Sequence, residues 1–172
     1  STGSYNLSSL NNRTYDLKID AFNHQINILD LNVTPIGNDI IDLDEIIGTD
    51  VTVTINTYKP LSGIGINTSL NVSIVNVTVS YNGTNPTSET GIKIFKCSSW
   101  DYIGRTCNSS WTQLTSIVNV ADNKVSGSTT GFSAYFAAEL KCGNGICESV
   151  YGETSSNCAD DCVTSQGSTS VT

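Results

Sequence analysis

The chain has few charged residues, few basic residues and one histidine, and each shortage argues against a class of function. Only 14% of the residues are charged, and eight basic residues stand against sixteen acidic ones, giving a formal net charge of −8. Nucleic acids and anionic lipid surfaces bind basic patches, so neither is an expected partner. No apolar run approaches the roughly 18 residues that a membrane-spanning helix needs, so we expect no membrane insertion.

The usual signatures of an enzyme are also missing. The only histidine, His24, is expected in a loop between two strands, and spacing suggests no Ser or Cys partner for it. The sequence contains no phosphate-binding glycine loop, no nucleophile elbow and no dinucleotide fingerprint. Carboxylates able to act as an acid–base pair are present, but nothing singles out one pair. We therefore expect a protein without catalytic activity.

Hydroxyl and amide side chains take the place of charges. The chain has 23 Ser, 21 Thr and 18 Asn, and eight Asn-x-Ser/Thr motifs. These motifs begin at Asn6, Asn12, Asn32, Asn67, Asn71, Asn76, Asn82 and Asn108. Composition alone would produce several of them, but Asn71 and Asn76 fall on the polar faces of a predicted strand, where a glycan would meet water. We expect N-linked glycans at several of these positions.

Short segments of alternating apolar residues predict an all-β fold. Alternation is clear in 15–21, 26–33, 51–55, 70–81, 92–97, 111–114, 118–120 and 132–138, with turn residues between them. The apolar set changes parity near Leu29 and again between Ile74 and Val75, and the first change predicts a bulge or twist near Leu29. The pattern of residues 39–47 does not decide between a helix and a strand. This spacing predicts an immunoglobulin-like antiparallel sandwich.

Changes in composition divide the chain into four parts. Residues 1–13 have little periodicity and are expected to be an N-terminal tail or a donor strand, and residues 14–140 form the predicted sandwich. Residues 141–162 hold four cysteines and four carboxylates with few large apolar side chains, so this module needs cross-links to fold. Residues 163–172 are a Ser/Thr-rich tail. We expect a mature chain after processing.

The six cysteines favour disulfides and hence an oxidising compartment. They are Cys97, Cys107, Cys142, Cys147, Cys158 and Cys162. Cys97 and Cys107 are expected to close a local loop between neighbouring strands, while three pairings remain open for the last four cysteines. The alternative is a zinc site, which would need all four C-terminal thiolates as ligands.

The C-terminal module also offers hard oxygen ligands. Asn144, Glu148, Glu153, Asp160 and Asp161 lie within it, and Gly143 and Gly145 permit a tight loop that aims oxygens inward. Calcium takes six to eight such oxygens, so the module is a candidate Ca²⁺ site. The alternative is that the acids are simply solvated. A second acidic patch is expected to be a solvated loop, and it comprises Asp39, Asp42, Asp44, Glu45 and Asp50.

Two stretches resemble a known group of proteins. IKIFKCSSWDYIGRTCNSSWTQL and GFSAYFAAEL resemble the closing strands of β-sandwich domains in archaeal surface proteins. CGNGICESVYGETSSNCADDC is similar to a small repeat that often follows such domains, beginning C-G-N-G-x-C-E and ending C-x-x-D-C. The resemblance covers about residues 92–162 and implies an exported, cell-surface protein. It implies no activity.

Two classes of function fit these expectations. The first is an extracellular structural glycoprotein, a subunit of a cell-surface filament that partners only itself, head to tail. In that case the N-terminal segment, around Tyr5 to Leu10, would pair with a sheet edge of the next subunit. The second is a monomeric surface adhesion or glycan-binding module. Trp100 and Tyr102 would then be exposed for stacking on sugars, while Trp111 alternates as a core residue.

Overall fold

The computed structural model describes residues 2–7, 13–33, 39–47, 58–68, 70, 72, 74–143, 145–147, 149, 154–156 and 158–162. These residues form thirteen β-strands and two 3-10 turns, Glu89–Gly91 and Val120–Asp122. The strands are β1 (Thr2–Leu7), β2 (Arg13–Ala21), β3 (His24–Val33), β4 (Asp39–Ile47), β5 (Tyr58–Thr68), β6 (Ile74–Ser80), β7 (Lys93–Cys97), β8 (Trp100–Asp101), β9 (Thr106–Cys107), β10 (Trp111–Gln113), β11 (Ser116–Asn119), β12 (Lys124–Thr129) and β13 (Ala134–Leu140).

The strands form an antiparallel sandwich, as the sequence predicts. Sheet A has the order β1-β4-β5-β13-β7-β10, sheet B has the order β11-β12-β6-β3-β2, and β8 pairs with β9 in a small ribbon. Strand β7 contacts β11 and β12, and β5 and β13 contact β6. The β1–β4 edge of sheet A therefore lies over the β2–β3 edge of sheet B. In the described part of the chain, no helix has the length and apolar character that crossing a membrane requires.

The main core lies between the two sheets. It is built from alternate residues of the strands, among them Ile26 and Ile28 of β3, Val77 of β6, Ile64 of β5 and Tyr135 of β13, all with no exposed surface. Alternation with period two is what places one side of each strand in this core. The sequence pattern of β2, β3 and β6 is thus explained by burial on one face.

The predicted bulge near Leu29 is confirmed. In the β2–β3 pair, Tyr15 lies opposite Leu31 and Leu17 lies opposite Ile28, so one residue of β2 faces two of β3. The extra residue, Asp30, has a φ of +54°, and its backbone N–H donates to Oδ1 of Asp16 at 3.1 Å. The bulge turns Leu31 back toward the core after the parity change.

The segment whose pattern left helix or strand open, residues 39–47, is strand β4. Ile41 and Leu43 enter the core between the sheets, whereas Asp44 and Ile46 are buried on the other face of sheet A. A strand buried on both faces loses the clean alternation of a half-exposed one, which explains the ambiguous pattern.

Strand β5 is absent from the sequence prediction although it is central in sheet A. Its Pro60, Gly63 and Gly65 are residues that normally argue against a central strand. Pro60 sits where the register with β13 shifts, opposite Ala138. A Cβ on Gly63 would lie 2.3 Å from the carbonyl oxygen of Tyr135, so close packing on β13 requires glycine there.

Other sequence expectations change at their boundaries. Residues 2–7 form strand β1, so they are not an unpatterned tail. The long strand expected over 70–81 is β6, Ile74–Ser80, with Leu70 and Val72 outside it. Strand β12 had not been predicted, and the strand expected around 118–120 is β11, ending at Asn119. The predicted strand 51–55 lies outside the described residues.

Candidate functional site

The loop closed by Cys97 and Cys107 has the disulfide that the sequence predicts, with the two Cα atoms 5.8 Å apart. The loop carries the β8–β9 ribbon, in which Trp100 lies opposite Cys107. Asp101 shapes the tip, because its Oδ1 accepts from the backbone N–H groups of Ile103 and Gly104 at 2.9 and 3.0 Å. Ile103 at the tip is fully exposed.

This loop folds over the outer face of sheet A and forms a second, smaller core. Trp100, Cys97, Ile46, Ala134 and Phe136 are buried in it. Trp111 packs against this cluster, with its ring centre 6.0 Å from those of both Trp100 and Phe136. The expectation that Trp100 is exposed is therefore wrong, because only 7% of its surface is accessible.

Tyr102 is held against the same face. A Cβ on Gly65 would lie 3.1 Å from Nε1 of Trp100 and 3.3 Å from Cε1 of Tyr102, so both rings rest on this glycine. Burial, with Asp44 and Asp42 nearby, raises the pKa of Tyr102 above its usual value, and its hydroxyl is hydrogen-bonded to the backbone of Ile66. A half-buried tyrosine in this position offers little ring surface for stacking on a sugar.

Arg105 ties the loop to strand β4. Its Nε lies 3.3 Å from Oδ2 of Asp44, and its Nη2 donates to the carbonyl oxygen of Glu45. Asp44 is only 6% exposed, so the ion pair is largely removed from water. The expectation that this acidic patch is a solvated loop is wrong for the described residues, which belong to β4, while Asp50 lies outside them.

Sequence patterns alone do not assign a role to Arg105. The signal was present, because Arg105 is the one basic residue between Cys97 and Cys107 while residues 39–50 carry five acids and no base. A lone cation in a cross-linked loop suits a nearby acidic segment. Distance along the chain concealed the pairing, which spans about 60 residues.

The C-terminal module pairs its cysteines in an interlaced order, Cys142 with Cys158 and Cys147 with Cys162. It is one of the three pairings that the sequence leaves open, and both of its bonds join the first part of the module to its C-terminal part. No free cysteine occurs in the structure. Cys142, Cys158 and Asp161 place possible ligand atoms within 4.8 Å of one another, but both sulfurs are used in the disulfide.

Asp161 takes part in the fold of the module itself. Its Oδ2 accepts from the backbone N–H of Gly143 at 2.5 Å, and its Oδ1 accepts from that of Gly145 at 2.9 Å. Both glycines have positive φ values, +86° and +85°. The glycine turn therefore presents amide hydrogens, which suit an anion, to the carboxylate. The loop that was expected to aim oxygens inward aims N–H groups here instead.

The remaining predicted calcium ligands are only partly described. Asp160 is exposed beside Asp161, whereas Asn144, Glu148 and Glu153 lie outside the described residues. The described residues thus bring together two of the five expected ligands, and one of these already accepts two hydrogen bonds. Calcium binding by the module stays a prediction.

The predicted glycosylation positions fall in different surroundings. Asn67, Asn82 and Asn108 are exposed, whereas Asn76 is half-buried and its Oδ1 accepts from the hydroxyl of Ser128 at 2.5 Å. Asn82 follows the end of β6, and Asn108 follows the end of β9. The side chains of Asn6 and Asn32 and the whole of Asn12 and Asn71 are outside the description.

His24 begins strand β3 directly after a two-residue turn and does not lie in a loop. The turn residues Phe22 and Asn23 both have positive φ values, +53° and +64°, as a tight hairpin requires. His24 is 4% exposed, and its Nδ1 accepts from the backbone N–H of Ser80 at 2.9 Å. Burial lowers its pKa to about 4, so the ring is neutral near pH 7.

A cleft of about 450 Å³ adjoins this histidine. Its lining is mainly polar and includes Asp20, Gln25, Asn82, Asp122 and Lys124. His24 already accepts a hydrogen bond from the backbone of a neighbouring strand through Nδ1, which gives it a structural role within the sandwich.

Comparison with known protein families, curated proteins and solved structures finds no match to this chain.

Proposed function

We propose that the chain is an extracellular structural glycoprotein, a subunit of a cell-surface filament assembled by strand donation. The observation that carries the proposal is the position of β1. Among the described strands it is one of the two edges of sheet A, and it pairs along its whole length with β4, from Thr2 opposite Asp44 to Leu7 opposite Asp39. Its successor along the chain, β2, belongs to the other sheet. An edge strand with one partner can be exchanged without taking the sandwich apart.

The lack of charge on this strand favours exchange. Residues 1–12 contain no Asp, Glu, Lys or Arg. Natural edge strands are usually guarded by charges or proline against pairing with another chain. Strand β2, one of the two edges of sheet B, has such guards in Asp16, Lys18 and Asp20, whereas the remaining edges, β10 and β11, are uncharged but span only three and four residues. Of the two long edge strands, β1 and β2, only β1 lacks charges, and this supports a role for β1 in association.

The extracellular location is supported by the cross-links. Three disulfides involve every cysteine of the chain, and such bonds persist in oxidising surroundings. The exposed sequons Asn67, Asn82 and Asn108 are open to glycan attachment. Site-by-site mass spectrometry of native material tests this part, with glycans expected at Asn82 and Asn108. Unmodified asparagine at every sequon would remove the glycoprotein element.

Electron microscopy of native material tests the filament itself. Regular fibres whose repeat is about one domain length support a structural subunit. A variant lacking residues 1–13 should remain folded by circular dichroism and should sediment as a monomer, because the donor strand is gone. If that folded variant still polymerises, strand donation from this end is wrong.

A further inference from the structure

We infer that the acceptor for the donated strand is β4 of the next copy, in the register that β1 and β4 adopt within one chain. This inference rests on the proposed function. When a subunit donates β1, its own β4 keeps β5 on one side but loses its partner on the other, where it presents an unpaired row of backbone groups. The same segment of another copy fits that row, because its fit to β4 is already seen in the chain.

The number of backbone pairings favours β4 over the other uncharged edges, β10 and β11. The register pairs six residues of β1 with Asp39–Asp44 of β4. If each subunit donated its β1 to β10 or β11 of the next copy, the side of β4 that β1 had left would stay unpaired in every subunit. Strand β10 spans three residues, Trp111–Gln113, and β11 spans four, Ser116–Asn119, so both also offer fewer pairing positions. Exchange at β4 keeps every backbone pairing that the single chain has.

The Cys97–Cys107 loop contacts the outer face of β4 and supports the strand for pairing with this partner. Asp44 lies opposite Thr2, and its charge is balanced by Arg105 at 3.3 Å. The loop is fixed in turn by the Cys97–Cys107 bond and by Trp100 on Gly65. An incoming uncharged strand therefore meets a neutralised carboxylate on a supported strand.

The linker between β1 and β2 is long enough for exchange. Residues 8–12 join Leu7 to Arg13, and six extended steps of the chain reach about 20 Å. The two sheets of a sandwich lie about 10 Å apart. The linker is thus about twice as long as the gap between the sheets whose edges it connects, and an adjacent copy is within its reach.

Disulfide trapping in the full chain tests the acceptor. Ser4 lies opposite Asp42, Ser4 is exposed and Asp42 is half-buried, so both accept substitution. Directly opposed residues of an antiparallel pair have Cα atoms about 4.5 to 5.5 Å apart, within the range for a disulfide. Because every native cysteine is bonded, the double variant Ser4→Cys/Asp42→Cys adds the only free thiols.

The variant is assembled, oxidised mildly and separated under denaturing, non-reducing conditions. We expect a ladder of covalent multimers from fibres seen by microscopy. A matched variant, Ser4→Cys/Ile117→Cys, places the second thiol on the exposed β11 edge, where Ile117 is 74% accessible, and is expected to give no ladder. Reduction should return the first variant to monomer.

The other outcomes separate the two claims. If the fibres yield only internally cross-linked monomers, β4 is not the acceptor, although the filament proposal still holds. The same conclusion follows if only the Ile117→Cys variant gives a ladder. A discrete covalent dimer means reciprocal exchange and overturns the head-to-tail arrangement. If native material and both variants form no fibres while remaining folded, the proposed function itself fails. If the Asp42→Cys variant does not fold, Asn6→Cys/Ile40→Cys tests the same register.

Discussion

Arg105 and Asp44 lie about 60 positions apart in the chain, yet the guanidinium Nε is 3.3 Å from the carboxylate Oδ2. This ion pair joins the Cys97–Cys107 loop to β4, the strand with which β1 pairs. It links the smaller core on the outer face of sheet A to the edge where we propose that subunits meet. The loop therefore matters for the edge as well as for its own stability.

Removing the cation should destabilise the sandwich. In Arg105→Ala, Asp44 keeps its charge at a largely buried position, and the free energy of unfolding should fall by about 3 kcal/mol. Urea unfolding measures the change. The matched control is Lys18→Ala, which removes an exposed ion pair with Asp20 and should cause no measurable loss. Equal effects of the two substitutions would mean that Asp44 does not depend on Arg105.

Substitution of the two β5 glycines by alanine should lower the free energy of unfolding by different amounts. A Cβ on Gly63 meets the backbone of β13 at 2.3 Å, whereas a Cβ on Gly65 meets the ring of Trp100 at 3.1 Å. Gly63→Ala should lower the free energy of unfolding by about 3 kcal/mol, since backbone must move. Gly65→Ala should cost less and should expose Trp100, seen as a red shift in tryptophan fluorescence. The reverse order of stabilities would contradict the packing described for β5.

These glycines also mark the limit of sequence reasoning. The bulge at Asp30 was predictable, because the parity change near Leu29 records a local event in one strand. Strand β5 was not, since Pro60 and Gly65 argue against a central strand until β13 and Trp100 are seen to pack there. Local periodicity reports burial on one face, and it fails for strands such as β4 that are covered on both.

The candidate site was likewise only partly predictable from the sequence. The Cys97–Cys107 bond was predictable because the two cysteines are only ten residues apart and flank a loop. The partner of Arg105 and the burial of Trp100 depend on how the loop folds back over sheet A, which spacing does not reveal. The role of Asp161 was hidden because a carboxylate near glycines is compatible both with metal binding and with capping of amide groups.

Stability should depend on pH through His24. The unfolded chain takes up a proton near pH 6.5, whereas the folded chain does so only near pH 4. The free energy of unfolding should therefore fall as the pH is lowered through this window, by about 3 kcal/mol from this group. His24→Asn keeps an acceptor for the Ser80 N–H and should lose this part of the dependence. An identical pH profile for both proteins would contradict a buried neutral histidine.

The C-terminal module should depend on Asp161 more than on its neighbour. Asp161→Ala removes two charge-assisted hydrogen bonds to the glycine turn, so the module disulfides should be reduced at least several-fold faster by a thiol reagent. Mass spectrometry after alkylation follows the reduction. Asp160→Ala removes an exposed carboxylate one position away and should leave the rate unchanged. If calcium binds this module, it should slow reduction in the unmodified chain.

Electron microscopy of native, unrefolded material, compared with the chain lacking residues 1–13, asks directly whether β1 joins copies into a filament. We expect regular fibres for the chain that keeps residues 1–13, with a repeat of about one domain length. We expect folded monomers for the shortened chain, because β1 is the strand that we propose passes between copies. Discrete, monodisperse particles from the complete native chain would contradict the filament proposal.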